Sequence, residues 1–175
     1  MKVIVTIVSI LLLSTAVFSQ SRSRTTKRPA PSAKTTKTAE EQAVALARST
    51  GATKVADQIK NLTRFLYLLG GVAKQIEELD VAARSNQGSP TVLQQNEQNK
   101  ARLRSAFQDF RVGLDQLEIH FRSTPGLESY YLKLAGSASG AATAESQAVA
   151  GRFDQAGRTL LGVVNRLTDV LVVMP

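Results

Sequence analysis

The sequence predicts an all-α fold, an antiparallel up-down four-helix bundle made of two helical hairpins. After residue 38, apolar residues recur at alternating spacings of four and three, as in helices that each bury one face. Turn residues interrupt this pattern near positions 88, 125 and 151. When the stretches flanking the first and last of these turns are paired antiparallel, apolar residues meet across each hairpin, which predicts the bundle.

The chain opens with the features of a secretory signal peptide. Lys2 precedes an apolar run from Val3 to Leu13 that is too short to span a bilayer, and small residues follow. We predict a signal peptide over residues 1–19, cleaved after Ser19. Cleavage after Ala16 also fits the pattern, and retention of the signal is a third alternative. The sequence therefore predicts export from the cytoplasm, to the periplasm or out of the cell.

Residues 20–38 are rich in serine, threonine, proline, lysine and arginine and contain no acidic residue. Because this segment has almost no apolar side chains to bury, we predict a disordered linker. It is a candidate interaction tail for anionic surfaces or a solvated spacer, and its composition favours the spacer. Its basic residues are Arg22, Arg24, Lys27, Arg28, Lys34 and Lys37. These six and Lys2 account for 7 of the 22 basic residues, which leaves 15 against 14 acidic ones in the folded part.

The bundle is predicted over residues 39–175, and its first two helices over 39–49 and 52–84. Thr38 and Glu41 match a capping box, while Gly51 either ends the first helix or lies within a longer one. The helix over 52–84 carries a stripe made of Val55, Ile59, Leu62, Leu66, Leu69, Ala73, Ile76, Asp80 and Ala83.

A second stripe, which includes Leu68, makes the helix over 52–84 wide-faced. Gly70 and Gly71 lie in its middle and cost about 1 kcal/mol each relative to alanine. Close approach of another helix, or a slight kink, would explain them.

The next helix is predicted over residues 90–122, with Ser89 as its N-cap and Pro90 in its first turn. Its stripe is Leu93, Asn96, Lys100, Leu103, Phe107, Phe110, Leu114, Leu117 and Phe121. Paired antiparallel with the preceding stripe, it places Gly88 at the midpoint. Turn chemistry and hydrophobic pattern therefore agree on the first hairpin.

Two further helices, over 127–149 and 152–173, form the second hairpin with a turn between Ala150 and Gly151. The stripe of the first is Leu127, Tyr131, Leu134, Ala138, Ala141, Glu145 and Ala148. The stripe of the second is Phe153, Ala156, Leu160, Val163, Leu167, Val170 and Met174. Alanines of one helix face larger residues of the other, as in an interdigitated core. The small residues 136–140 are interpreted as helix packing and not as a phosphate-binding loop.

The first hairpin is longer than the second, so its end is predicted to protrude beyond the level of Lys100. The polar residues there, Asp80, Gln94, Asn96 and Lys100, are named the interaction tip. One interpretation is a partner-binding end. The other, which we favour, is a solvated end at which Asp80 and Lys100 pair loosely.

Residue types exclude several function classes. The chain has no cysteine and a single histidine, His120, so we predict no metal and no cofactor. No catalytic constellation is found, and the leading prediction is an exported, non-enzymatic interaction or structural module that binds a protein or an anionic envelope component.

Two alternatives stay open. One is a carrier of a small apolar ligand or cofactor between the hairpins, which an apolar cavity near Gly70 would favour. The other is a membrane-surface protein held by its basic tail. Specific nucleic-acid binding is not expected, and homo-oligomers are compatible with the stripes.

Overall fold

The structure, a computed structural model, describes residues 33–85 and 88–174, with side chains from Thr38 onward. The predicted signal peptide (1–19) and residues 20–32 of the predicted linker lie outside the described residues. All regular structure in the described part is helical. The helices are α1 (Ala33–Arg84), α2 (Pro90–Ser123), α3 (Glu128–Leu134), α4 (Ser137–Val149) and α5 (Phe153–Val173).

The predicted all-α class is confirmed, and helices packed side by side form the molecule. α1 packs against α2 and α5, α4 packs against the same two helices, and the short α3 also lies between α2 and α5. Neighbours run antiparallel. In α1 and α2, Asn96 bonds Asp80 near the turn, while Phe65 and Phe110 meet further along with ring centroids 5.0 Å apart.

The stripes predicted from the sequence form the core. In α2, Phe107, Leu114, Leu117 and Phe121 are buried. In α5 and at its C-cap, Met174, every predicted stripe position is buried: Phe153, Ala156, Leu160, Val163, Leu167, Val170 and Met174. The predicted N-cap is also confirmed, because the hydroxyl of Ser89 accepts a hydrogen bond from the Val92 N–H at 3.4 Å.

The prediction of separate helices over 39–49 and 52–84 is wrong, because α1 is one helix of 52 residues. Gly51 lies inside it and is buried. A Cβ there would lie 3.1 Å from Leu127 and 3.2 Å from Met174, so the glycine lets both side chains pack against the helix. Packing at this end of the bundle thus offsets the poor helix propensity of one glycine.

The predicted start of this helix is also wrong. Residues 33–38, assigned to the disordered linker, are helical, and Thr38 lies inside α1 rather than at a capping box. Extending an existing helix needs no new nucleation, so polar residues of ordinary propensity can continue it.

The predicted helix over 127–149 is divided into α3 and α4. The break falls at Gly136, whose φ of +91° lies in the left-handed region. Arg166 of α5 donates to the Ala135 carbonyl at 2.7 Å, and Glu118 of α2 accepts from the Ala138 N–H at 2.8 Å. Both neighbouring helices therefore satisfy backbone groups that the break leaves without helical partners.

For the middle of α1, the assignment of Leu68 to a buried stripe and the close approach of another helix to Gly70 and Gly71 are wrong. Leu68 is 64% exposed and does not belong to a second buried stripe. Gly70 and Gly71 have no neighbouring helix against them, since a Cβ at either position would meet nothing within 4 Å. Gly70 instead borders open space.

Candidate functional site

An open groove lies where the shorter hairpin ends against the longer one. The α4–α5 turn, at Ala150 and Gly151, lies beside the second half of α1. Beyond that turn no helix of the second hairpin covers α1, and an open groove of about 720 Å³ remains. We call it the step groove; its walls are residues 66–84 of α1 and residues 151–161 of the turn and α5. The length difference between the hairpins predicts such a step near Ile76, the α1 residue paired with Lys100.

Apolar side chains form the floor of the step groove. Leu69, Ile76 and Phe153 are each only 3% exposed, so they are core side chains whose outer edges border the groove. Gly70 and Gly157 line the groove from α1 and α5. A Cβ at Gly70 would meet nothing within 4 Å, whereas one at Gly157 would lie 3.0 Å from Leu69, so the groove is open at Gly70 and close-packed at Gly157. The stripe positions of both hairpins thus contribute to one apolar surface.

Charged side chains form the rim. The acidic ones are Glu77, Asp80 and Asp154, and the basic ones are Lys74, Arg84, Arg152 and Arg158. Two of the acids are already paired. Asp154 contacts Arg158 at 3.0 Å, and Asp80 accepts from Lys100 at 2.6 Å.

The interaction tip adjoins the rim through Asp80. One oxygen of Asp80, Oδ1, accepts hydrogen bonds from Lys100 Nζ at 2.6 Å and from Asn96 Nδ2 at 2.8 Å. Lys100 also donates to Glu97 at 2.8 Å. Asn96 is 2% exposed, whereas Gln94, the remaining tip residue, is exposed and lies outside this cluster.

Burial lowers the pKa of Lys100, but the hydrogen bonds to Asp80 and Glu97 and their charges outweigh it and raise the pKa above its usual value. Lys100 therefore stays charged throughout the neutral range. Asp80 and Lys100 pair across this end, as the sequence predicts. The ion pair is tighter than the predicted loose pairing, because only 12% of the Lys100 side chain is exposed.

Asp80→Ala should lower the free energy of unfolding by about 1 kcal/mol, because it removes the acceptor shared by Lys100 and Asn96. Glu97→Ala is the matched control. It removes a second acceptor of Lys100 whose side chain is 65% exposed, and its effect should fall within about 0.5 kcal/mol. Urea unfolding of both variants measures the difference, and equal losses would contradict a structural role for Asp80.

The basic residues of the candidate interaction tail are only partly described. Lys34 and Lys37 lie within α1, although their side chains are outside the described part. Arg22, Arg24, Lys27 and Arg28 precede the described residues.

His120 lies far from the step groove. Its Nδ1 is 3.3 Å from the Thr124 hydroxyl, and burial, with a smaller contribution from the charge of Lys54, lowers its pKa. Lys54 precedes the nearest groove residue, Leu66, by 12 residues, or about 18 Å of helix. Across residues 38–85 and 88–174, no group of three His, Cys, Asp or Glu side chains is placed to hold a metal ion.

The small residues 136–140 do not form the one continuous helix face that the sequence predicts, because the helix is interrupted at Gly136. They contain the break, and the backbone at the start of α4 is occupied by a protein carboxylate, that of Glu118. A helix start that already binds a carboxylate has its anion-binding N–H group engaged.

Sequence reasoning missed the basic and apolar residues that α5 contributes to the groove, chiefly Arg152 and Phe153. Phe153 is visible in the sequence as a core residue, but nothing local indicates that α5 lies beside α1. None of the helices described here is long and apolar enough to cross a membrane. Comparison of the chain with family models, curated proteins and solved structures finds no match.

Proposed function

We propose that the protein is an exported, non-enzymatic binding module that holds an apolar ligand in the step groove. The groove itself is the observation that carries the proposal: its floor is apolar, its rim is charged, and both hairpins line it. Its volume of about 720 Å³ lies within the range of about 300–1,000 Å³ that is usual for small-molecule sites.

The chemistry of the groove favours binding over catalysis. Asp80 and Asp154 are engaged by Lys100 and Arg158, so neither carboxylate stands ready as a base. Residues 151–161 contribute neither serine nor histidine to the wall, and His120 is remote from it. A general base must lie within hydrogen-bonding reach of the proton that it takes, and the groove offers only Glu77 for that role.

Substitution of the two adjacent glycines tests the groove directly. In Gly70→Leu the new side chain projects into the step groove and should abolish binding of the neutral fluorescent probe N-phenyl-1-naphthylamine. Gly71→Leu is the matched control, since Gly71 is exposed but does not line the groove. Both changes should stabilise α1 by up to about 1 kcal/mol, because leucine is the better helix former.

Probe fluorescence and thermal unfolding are measured on the full chain, expressed with its own leader, and on both variants. Binding by wild type and Gly71→Leu but not by Gly70→Leu supports the proposal. Equal binding by all three proteins, or no binding by wild type, contradicts it. N-terminal sequencing of the exported protein tests the leader, and its native mass shows whether a ligand is retained on purification.

A further inference from the structure

We infer that the step groove binds an anionic single-chain amphiphile, a long-chain carboxylate, with its chain over Leu66 and Leu69 and its head beside Lys74 and Arg152. The inference rests on the proposed function, because it names the occupant of the same groove. Three features support it: the length of the groove, the change of polarity along it, and the charge balance of its rim.

The groove is long. Its α1 wall extends from Leu66 to Arg84, 18 residues apart, which corresponds to about 27 Å along the helix axis. The second wall, residues 151–161, covers about 15 Å of that length, so the cavity of about 720 Å³ is a trough with two walls beside Leu66 to Lys74 and one wall beyond. A trough of this shape suits an extended hydrocarbon chain better than a compact ring system.

Polarity changes from one end of the groove to the other. Because α1 and α5 are antiparallel, Gly157 lies against Leu66 and Leu69, where a Cβ on the glycine would be 3.0 Å from Leu69. That end contains apolar side chains from both helices, including Leu161. Five residues before Gly157, at the other end of the α5 wall, Arg152 lies level with Lys74 of α1, so a basic residue stands on each wall there.

The rim has unpaired positive charge. Within the described part of the chain, Lys74, Arg84 and Arg152 have no ion-pair partner, whereas two of the three rim acids are paired. Three cations therefore face one unpaired carboxylate, that of Glu77. An anionic head would complement this balance, and arginine can bind a carboxylate through two parallel hydrogen bonds.

The presence of Glu77 also favours a singly charged head. A phosphate monoester carries close to two negative charges at neutral pH and would be repelled more strongly by that carboxylate than a fatty-acid head would. The geometry thus points to a carboxylate with one apolar chain.

The test compares ligands that share a twelve-carbon chain and differ in the head. Sodium dodecanoate, dodecyl phosphate, dodecan-1-ol and dodecyltrimethylammonium are titrated by calorimetry into the full-length protein, below the concentrations at which they form micelles. Dodecanoate should bind most tightly and at least about tenfold more tightly than the ammonium, since reversal of the head charge converts attraction into repulsion.

Variants locate the head. Arg152→Gln should weaken dodecanoate binding by about tenfold and weaken N-phenyl-1-naphthylamine binding by much less, and Lys74→Gln is a second variant with the same expectation. Arg122→Gln is the control. It removes an exposed arginine near the end of α2, away from the groove. Lys74 and Arg152 are both exposed, so the variants should fold as wild type does.

The outcomes separate the two proposals. If the neutral probe binds, and dodecanoate binds no more tightly than the ammonium, the anionic ligand is wrong and the groove proposal stands. Tighter binding of dodecyl phosphate would overturn the carboxylate. If Gly70→Leu leaves dodecanoate binding intact, dodecanoate binds elsewhere and the inference fails; the groove proposal fails as well only if that variant also binds the neutral probe.

Discussion

Leu134→Asp should abolish cooperative unfolding of this protein. Leu134 is the last residue of α3 and is fully buried. Truncation of a buried leucine alone costs about 2–5 kcal/mol, and the aspartate would also place an unpaired charge in the core. Against a total stability of about 5–15 kcal/mol, that loss should leave no well-packed native state.

The control lies two residues earlier in the same short helix. Leu132 is 79% exposed, so Leu132→Asp should change the free energy of unfolding by less than about 0.5 kcal/mol. Near-ultraviolet circular dichroism and urea unfolding distinguish the variants. A Leu134→Asp protein with a wild-type midpoint would show that α3 does not belong to the core.

This pair of leucines illustrates how well the periodic pattern predicts the core. Spacing of four and three assigns Leu134 to the buried stripe and leaves Leu132 off it, and the structure agrees with both assignments. The same pattern pairs Asp80 with Asn96 across the first hairpin, and their side chains are hydrogen-bonded. Periodicity succeeds because burial of one helix face is the dominant favourable term in folding.

The pattern fails where distant contacts decide the backbone. Gly51 has the local chemistry of a helix end, but Leu127 and Met174 pack against it and α1 continues. Gly136 lies in a stretch with helical spacing, but Glu118 and Arg166 satisfy the backbone of a break there. Both outcomes depend on residues far along the chain, so a local interpretation cannot choose between helix and break.

The sequence predicts the position of the candidate site on α1 but not the residues that α5 contributes to it. Helix lengths alone place a step near the end of the second hairpin, beside Ile76 of α1. Helix lengths do not show that α5 forms the second wall of the groove. The hairpin pattern does not specify that α1 packs against α5 and α4 against α2. The positions of Arg152 and Phe153 in the step groove follow from that arrangement.

The break between α3 and α4 leads to the second large effect, which is expected for Gly136→Val. Gly136 has φ +91°, where a β-branched residue is strained by about 1–3 kcal/mol. A Cβ there would also overlap Nη1 of Arg166. The flexible arginine can move aside only by giving up its 2.7 Å bond to the Ala135 carbonyl, which adds about 1 kcal/mol.

Gly151→Val isolates the backbone contribution. Gly151 has φ +76°, but a Cβ there would meet nothing within 4 Å, so this variant should show the strain alone. Urea unfolding should therefore give a larger loss for Gly136→Val than for Gly151→Val. Introduction of Arg166→Gln should remove the excess, since the bond is then already lost. If the larger stability loss of Gly136→Val persists in the double variant, Arg166 does not stabilise the break. The additional loss then comes from the backbone of α3 and α4.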